Sequence, residues 1–196
     1  MLVILNAPAG AGKDTIGAIL ESSYGHTLGC FKQPMFDIAK SVLGETLFEV
    51  FMELYNDRET KEQPQALLGG LSCRQFMIKI SEGWVKPVFG EEYFGERMLQ
   101  SVSIFDELVP TIITDGGFPH ELFPSLKAGI PVMVFRLRGR GSFDGDSRDY
   151  VQNGDFLNLP YHLRPLIYDI ELQDGEPVLA ASEIQGLIKG YRNELL

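Results

Sequence analysis

A lysine after two glycines is the first group in this sequence with evident chemistry. Near the N-terminus the chain reads LVILNAPAGAGKDTIGAIL, in which Gly10 and Gly12 precede Lys13. Glycine lets a backbone approach a phosphate without a Cβ in the way. A lysine ammonium adds a mobile positive charge for the outer phosphates of a nucleotide. An apolar strand, glycines, a lysine and then a helix are together typical of a phosphate-binding loop.

The loop departs from the common GxxxxGK(S/T) pattern at two positions. Ala7 stands at the first glycine position, where its small side chain still allows the turn to close. Asp14 replaces the hydroxyl residue that usually binds magnesium, and Thr15 follows one position late, where it can contact the α-phosphate. Magnesium could then be held through waters, with Asp14 or Asp115 in its outer shell. The alternative is a plain strand-to-helix turn with a surface lysine.

Further charged residues stand where two later apolar segments end. Asp115 follows TIIT and precedes two glycines, a position suited to ordering magnesium or contacting an acceptor. A turn or helix-capping aspartate is the alternative. Arg136, Arg138 and Arg140 follow IPVMVF and point the same way in an extended chain. Such arginines can neutralise a phosphoryl group in transfer, or they form a solvated basic edge.

The middle of the chain carries cations and aromatic residues with two interpretations each. Arg58, Lys61 and Arg74 could hold the phosphate of a second substrate, or form surface ion pairs. Four aromatic residues could stack a base or fill a core: Trp84, Phe89, Tyr93 and Phe94. Two cysteines and three histidines lack the spacing of metal ligands, so no metal-binding residues are predicted.

The elements that must position these residues alternate along the chain. Strands are predicted at five short apolar runs, and helical patterns separate them. The runs are LVILN before the glycine loop, HTLGCF, PTIITDGG, IPVMVF and LIYDIELQDG. Helical spacing dominates from about 45 to 108, with Ser72 as a predicted N-cap, and Ser182 is the predicted cap of the last helix. The pattern indicates an α/β domain, with a parallel sheet covered on both faces.

Composition excludes several classes of function. The 196 residues suffice for one domain, 44% are hydrophobic, and the formal net charge is −10. This acidity argues against nucleic-acid or anionic-membrane binding, whereas a small phosphorylated ligand needs only a few local cations. The N-terminus lacks a basic start, and no apolar run approaches the ~20 residues that span a bilayer. A soluble cytoplasmic protein is expected, and a homodimer is left open.

Taken in order, the motifs resemble those of the bacteriophage deoxynucleoside monophosphate kinases. GKDT directly after a first strand is similar to the loop of that family. Colinear segments extend the resemblance over most of the chain: DRET, SCRQFM, PVFGEEYF, TDGGFPHE, VMVFRLRGRG and DIELQDG. The loop is the specific motif, and the order of the others supports it.

The resemblance implies a three-layer αβα P-loop kinase fold over residues 1–196, with a parallel sheet of about five strands. A helical monophosphate-binding insertion would span about 45–108, and a lid about 136–155. The implied activity is transfer of the γ-phosphoryl group of ATP, with Mg²⁺, to a deoxynucleoside 5′-monophosphate. The partners would be small nucleotides, and the host cytoplasm would be the location if the chain is of phage origin.

The resemblance also implies roles for single residues. Binding of ATP would fall to Gly10, Ala11, Gly12, Lys13, Asp14, Thr15 and Arg138. Binding of the acceptor would fall to Lys32, Arg58, Arg74, Phe94, Asp115 and Glu121. Catalysis would use Lys13, Asp115 and Arg136.

Two residues of the family pattern are absent. Gly117 stands where the family has an arginine, and Phe36 where it has a lysine that Lys32 could replace. The sequence therefore leaves two alternatives open. One is a P-loop kinase for another small acceptor, such as dephospho-coenzyme A. The other is a catalytically weak nucleotide-binding regulatory protein.

Overall fold

A computed structural model of the protein describes residues 1–101, 109–144 and 148–194. Strands and helices alternate in it, as the sequence predicts. The strands are β1 Leu2–Asn6, β2 Thr27–Gly29, β3 Thr111–Ile113, β4 Val132–Arg138 and β5 Leu166–Glu171. The helices are α1 Lys13–Tyr24, α2 Gln33–Leu43, α3 Glu45–Asn56, α4 Cys73–Ile80, α5 Lys86–Phe89, α6 Tyr93–Ser101, α7 Pro119–Lys127 and α8 Pro177–Glu194.

The chain divides into two compact units. The first comprises Met1–Phe31 and Gly95–Leu196, and the second comprises Lys32–Phe94. The predicted insertion at about 45–108 and lid at about 136–155 stay predictions as domain bounds. Positions 102–108 and 145–147 of those segments lie outside the described residues.

The first unit contains one five-stranded sheet in the order β2-β3-β1-β4-β5. All four strand pairs are parallel, and Leu2 of the central strand pairs with Thr111 on one side and Val132 on the other. The carboxyl ends of parallel strands meet at one edge of a sheet, where ligands of open α/β sheets bind. The predicted α/β fold class with about five parallel strands is confirmed.

Alternate residues of β1 feed two separate cores, because successive side chains of a strand point to opposite faces. Val3 and Leu5 pack in a core with residues of α1 and α8, including Leu20 and Ile184. Leu2 and Ile4 pack in the other core, with Met98 of α6 and with Leu122 and Leu126 of α7. Helices therefore cover both faces of the sheet, which gives the three predicted layers.

The second unit is helical and has its own apolar core, as the 3.6-residue spacing predicts. Phe51 of α3 and both Cys73 and Met77 of α4 are buried in it. Ser72 caps α4, since its hydroxyl accepts from the N–H of Gln75 at 3.2 Å while the Gln75 side chain accepts from the N–H of Ser72 at 2.9 Å. The predicted N-cap at Ser72 is confirmed. A wider π-helical turn, Ser81–Val85, joins α4 to α5.

The prediction that Ser182 caps the last helix is wrong. Helix α8 begins at Pro177, so Ser182 lies inside it. Proline favours the first turn of a helix because its fixed φ suits that turn and its missing N–H is not needed there. This signal determines the start of α8 better than the serine five residues later. None of the helices in the described part of the chain is long and apolar enough to cross a membrane.

Candidate phosphate-binding site

The loop between β1 and α1 has the backbone that its glycines predict. Gly10 and Gly12 have φ angles of 78° and 94°, in the left-handed region. A Cβ at either position would meet no atom within 4 Å, so backbone conformation rather than space requires glycine. Gly12 is the N-cap of α1 and has no capping side chain. The first N–H groups of α1 therefore point towards the loop without an intrahelical acceptor, which suits an anion.

The Lys13 ammonium is held over this loop. Its Nζ donates to the carbonyl oxygens of Ala7 at 2.8 Å and Pro8 at 2.7 Å. The residue is only 9% exposed. A buried cation costs free energy unless polar groups surround it, and here two backbone carbonyls compensate. The loop thus carries a positive charge placed in advance beside the N-terminus of α1.

Asp14 and Thr15 occupy the first turn of α1, and both are exposed. Asp14 Oδ1 accepts a hydrogen bond from Thr114 Oγ1 at 2.6 Å. Thr114 directly follows β3, so this bond ties the phosphate loop to the neighbouring strand. Thr114 was not among the predicted site residues. It belongs to the quoted TIITDGG segment, but nothing in the sequence pairs it with a residue 100 positions away.

Asp115 is half-buried and braces the end of β2. Its carboxylate accepts from the N–H of Phe31 at 3.0 Å and from Cys30 Sγ at 3.2 Å. Glu121 lies at the start of α7, and its Oε2 accepts from the N–H groups of Gly117 and Phe118, both at 3.2 Å. Both carboxylates thus hold main chain at the carboxyl edge of the sheet. Their roles towards an acceptor stay predictions.

Gly117 stands at the position where the resemblance implies an arginine, and the side chain of Arg148 lies beside it. A Cβ built on Gly117 would lie 3.0 Å from Arg148 Cδ. The chain after Arg148 is fixed to β1, because Asn6 Nδ2 donates to the carbonyl of Asp149 at 3.3 Å and Asn6 Oδ1 accepts from the N–H of Val151 at 2.8 Å. Sequence reasoning missed Arg148, which no local pattern connects with position 117.

The arginines of β4 share one carboxylate on the neighbouring strand. Arg136 binds both oxygens of Asp169, at 2.9 and 2.5 Å, and Arg138 Nε donates to Asp169 Oδ1 at 2.6 Å. Burial raises the pKa of Asp169, but hydrogen bonds and charge from the two arginines outweigh it and lower that pKa below its usual value. The Arg138 guanidinium also stacks on the Tyr150 ring, 3.7 Å from its centroid.

Arg140 instead forms an ion pair with Asp174 at 3.1 Å, so the three arginines do not share one carboxylate. Asp169 was not predicted as a site residue. A signal for it existed, since it is an acidic residue in the otherwise apolar segment LIYDI. The parallel register places it opposite Arg136.

The remaining predicted residues belong to the second unit. Lys32 is half-buried and directly precedes α2, whereas Arg58 is exposed in the turn after α3. Arg74 lies in the first turn of α4, 3.5 Å from a carboxylate oxygen of Glu62. Phe94 is 4% exposed and packs in the apolar core, so its place beside a base stays a prediction.

Comparison with solved structures finds kinases. Shikimate kinase from Aquifex aeolicus VF5 is 15% identical, with 98% of each chain covered and a TM-score of 0.43. Dephospho-CoA kinase from Campylobacter jejuni is 13% identical, with 97% of this chain and 98% of that chain covered and a TM-score of 0.45. A gluconokinase from Sinorhizobium meliloti 1021 is 11% identical, with 98% and 95% covered and a TM-score of 0.37.

No family model and no curated protein matches the chain. The resemblance to the bacteriophage kinases therefore stays a prediction.

Proposed function

We propose that this protein transfers the γ-phosphoryl group of ATP to a deoxynucleoside 5′-monophosphate, giving the diphosphate. The observation that carries the proposal is the loop after the central strand, where the Lys13 ammonium lies over the carbonyls of Ala7 and Pro8. That loop combines left-handed glycines, a helix N-terminus and a positioned cation, which are the parts a nucleotide phosphate needs. That the acceptor is a deoxynucleoside rests on the resemblance alone.

In this mechanism the chain positions groups and neutralises charge, with little covalent chemistry of its own. The N–H groups at the start of α1 would bind the β- and γ-phosphates. Lys13 would exchange its two carbonyl acceptors for phosphate oxygens, so its charge moves only a short distance. Stabilisation of charge on the transferring group is the largest contribution expected from such a site. Exclusion of water from the site would limit hydrolysis of ATP.

The residues at the loop fit magnesium bound chiefly by phosphate and water. Mg²⁺ prefers oxygen ligands and is usually held through one or two carboxylates together with substrate phosphates. Asp14 and Thr15 offer exposed oxygens in the first turn of α1. Across residues 1–101, 109–144 and 148–194, no group of three or more His, Cys, Asp or Glu could hold a metal. When bound, the metal supplies charge neutralisation between the phosphates, and Asp14 would orient its waters.

Cations at the start of α2 and around α4 support an acceptor that already carries a phosphate. Arg58 and Arg74 offer planar guanidinium groups suited to phosphate oxygens, and Lys32 adds a third charge in the same unit. Arg136 and Arg138, both held by Asp169, would contribute positive charge at the end of β4. These roles remain proposals for each residue.

The test is product formation with ATP, Mg²⁺ and each deoxynucleoside and ribonucleoside monophosphate supplied separately. We expect the diphosphate of at least one deoxynucleotide, and loss of at least 100-fold in kcat/KM for ATP with Lys13→Met. Lys189→Met is the matched control, since Lys189 is an exposed lysine on α8. Turnover only with a non-nucleotide acceptor, or ATP binding without any product, would overturn the proposal.

A further inference from the structure

Part of the second unit exposes apolar side chains that lie next to one another. We call Trp84, Val88, Phe89 and Tyr93 the aromatic patch. Phe89 stacks on Tyr93 with 5.1 Å between ring centroids, and Trp84 packs against Phe89 at an edge-to-face angle of 71° and 6.5 Å. Trp84 is 50% exposed, Phe89 is 54% exposed, and Val88, which directly precedes Phe89, is 59% exposed. Scattered exposed apolar residues are normal, whereas contiguous ones mark a surface that another molecule covers.

The exposure of Trp84 is fixed by the fold. Trp84 lies in the π-helical turn Ser81–Val85. Ile80, directly before this turn, and Val85, at its end, are both buried in the core of the second unit. The turn is therefore anchored on both sides while the indole stays at the surface. Turns of this kind are frequent at functional sites, and rings already packed against each other lose little conformational freedom when a partner binds.

The border of the aromatic patch is acidic. Between positions 80 and 94 the chain has three glutamates and one lysine. The Lys86 ammonium binds two of the glutamates, 2.7 Å from Glu82 and 3.4 Å from Glu91, so its charge is already compensated. A nucleotide would bring further negative charge to this border, and so would the same patch of a second copy in a symmetric contact. The charge therefore favours a partner that carries lysine or arginine.

The size of the aromatic patch indicates how large the covering group is. Aromatic side chains contribute about 150–250 Å² each, so the half-exposed rings and Val88 leave apolar surface on the order of 300 Å². A stable interface between two folded proteins buries about 800 Å² of each partner. The patch is therefore too small for a dimer interface of its own, but it suffices for one or two apolar anchors of a short peptide segment.

We propose that the aromatic patch binds a short segment of another protein, in which one or two large apolar side chains are flanked by lysine or arginine. The apolar anchors would cover Trp84 and Phe89, and the flanking cations would meet Glu82 and Glu91. Tryptophan and tyrosine are enriched among the residues that dominate binding at protein interfaces. The inference is independent of phosphoryl transfer, because no residue of the patch has a role in the proposed reaction.

Fluorescence of Trp84 tests the proposal, because Trp84 is the only tryptophan of the chain. The probe is a synthetic peptide of lysine and leucine, and the matched control peptide has glutamate at every lysine position. We expect the lysine peptide to shift the emission of Trp84 to shorter wavelength in a saturable titration, since an apolar partner replaces water around the indole. The glutamate peptide should cause no shift.

Variants show whether the peptide binds at the aromatic patch. Phe89→Ser should weaken binding of the lysine peptide by about 10-fold or more, and Glu91→Gln, which leaves the apolar core intact, by about two- to five-fold. Tyr161→Ser is the matched control, since Tyr161 is exposed in the first unit, and it should bind like the wild type. Equal affinity of Phe89→Ser and the wild type, or equal affinity for both peptides, would overturn the proposal. An emission shift caused by deoxynucleoside monophosphates, or by raising the protein concentration alone, would show a base or a second copy on the patch and overturn it as well.

Discussion

Replacing Gly141 by alanine tests how the phosphate loop is held from the side of β4. Gly141 follows β4 by three residues and has a φ of 76°. A Cβ at this position would lie 3.1 Å from Pro8 Cβ and 3.2 Å from the carbonyl oxygen of Ala9. These distances are shorter than ordinary van der Waals contacts, so the loop would have to move by a few tenths of an ångström.

Two effects of Gly141→Ala can be separated. The left-handed backbone costs a non-glycine residue about 1–2 kcal/mol, and each 1 kcal/mol lowers the melting temperature of a chain this size by about 2–4 °C. The second effect is displacement of Pro8 and Ala9, which belong to the proposed phosphate-binding loop. Weakening one hydrogen bond of about 1 kcal/mol there corresponds to a roughly five-fold higher KM for ATP.

Gly175→Ala is the matched control for Gly141→Ala. Gly175 has a φ of 78°, but a Cβ there would meet nothing within 4 Å. Both variants should therefore lose the stability that the left-handed backbone costs, and the close contact adds to this loss only in Gly141→Ala. Only Gly141→Ala should raise the KM for ATP in steady-state kinetics. If the two variants have the same KM for ATP, the contact between Gly141 and the loop does not position the phosphates, and the reasoning is refuted.

Three further predictions concern other contacts. Lys13→Met should weaken ATP binding by at least 10-fold in calorimetric titration, because the only cation in the loop is lost. Asp169→Asn should lower stability by roughly 1 kcal/mol at pH 7, a small value because Asp169 is 44% exposed. The folded pKa of Asp169 lies below its unfolded value of about 3.9, so this contribution is complete above about pH 4 and is lost as the pH falls through the folded pKa. Thermal unfolding at pH 7 and pH 3 should show the difference from wild type shrinking. Ser72→Ala should cost about 1 kcal/mol through loss of the cap of α4, with Ser72→Thr close to wild type in the same measurement.

Local patterns were sufficient for the elements and for the loop. The apolar run before Ala7, the glycines and Lys13 predicted the strand, turn and helix that the structure contains. The Ser72 cap could be predicted because a capping box uses residues only three positions apart. Signals of this kind are complete within a few residues, so periodicity and composition can find them.

The partners of the site residues could not be predicted in the same way. Thr114 meets Asp14, and Arg148 lies over Gly117, only because separate strands and loops end at the same edge of the sheet. Strand order and register determine such contacts, and neither can be read from local patterns in a single sequence. The Ser182 cap was wrong for a related reason, since two start signals competed and proline was the stronger.

Transfer of label from [γ-³²P]ATP measures the proposed reaction itself. The wild-type protein is incubated with labelled ATP, Mg²⁺ and one deoxynucleoside monophosphate at a time, and the products are separated by chromatography. We expect label in a deoxynucleoside diphosphate, little label in inorganic phosphate, and none in the diphosphate with Lys13→Met. Label that remains in ATP with every monophosphate, or that appears only as inorganic phosphate, would contradict the proposed phosphoryl transfer.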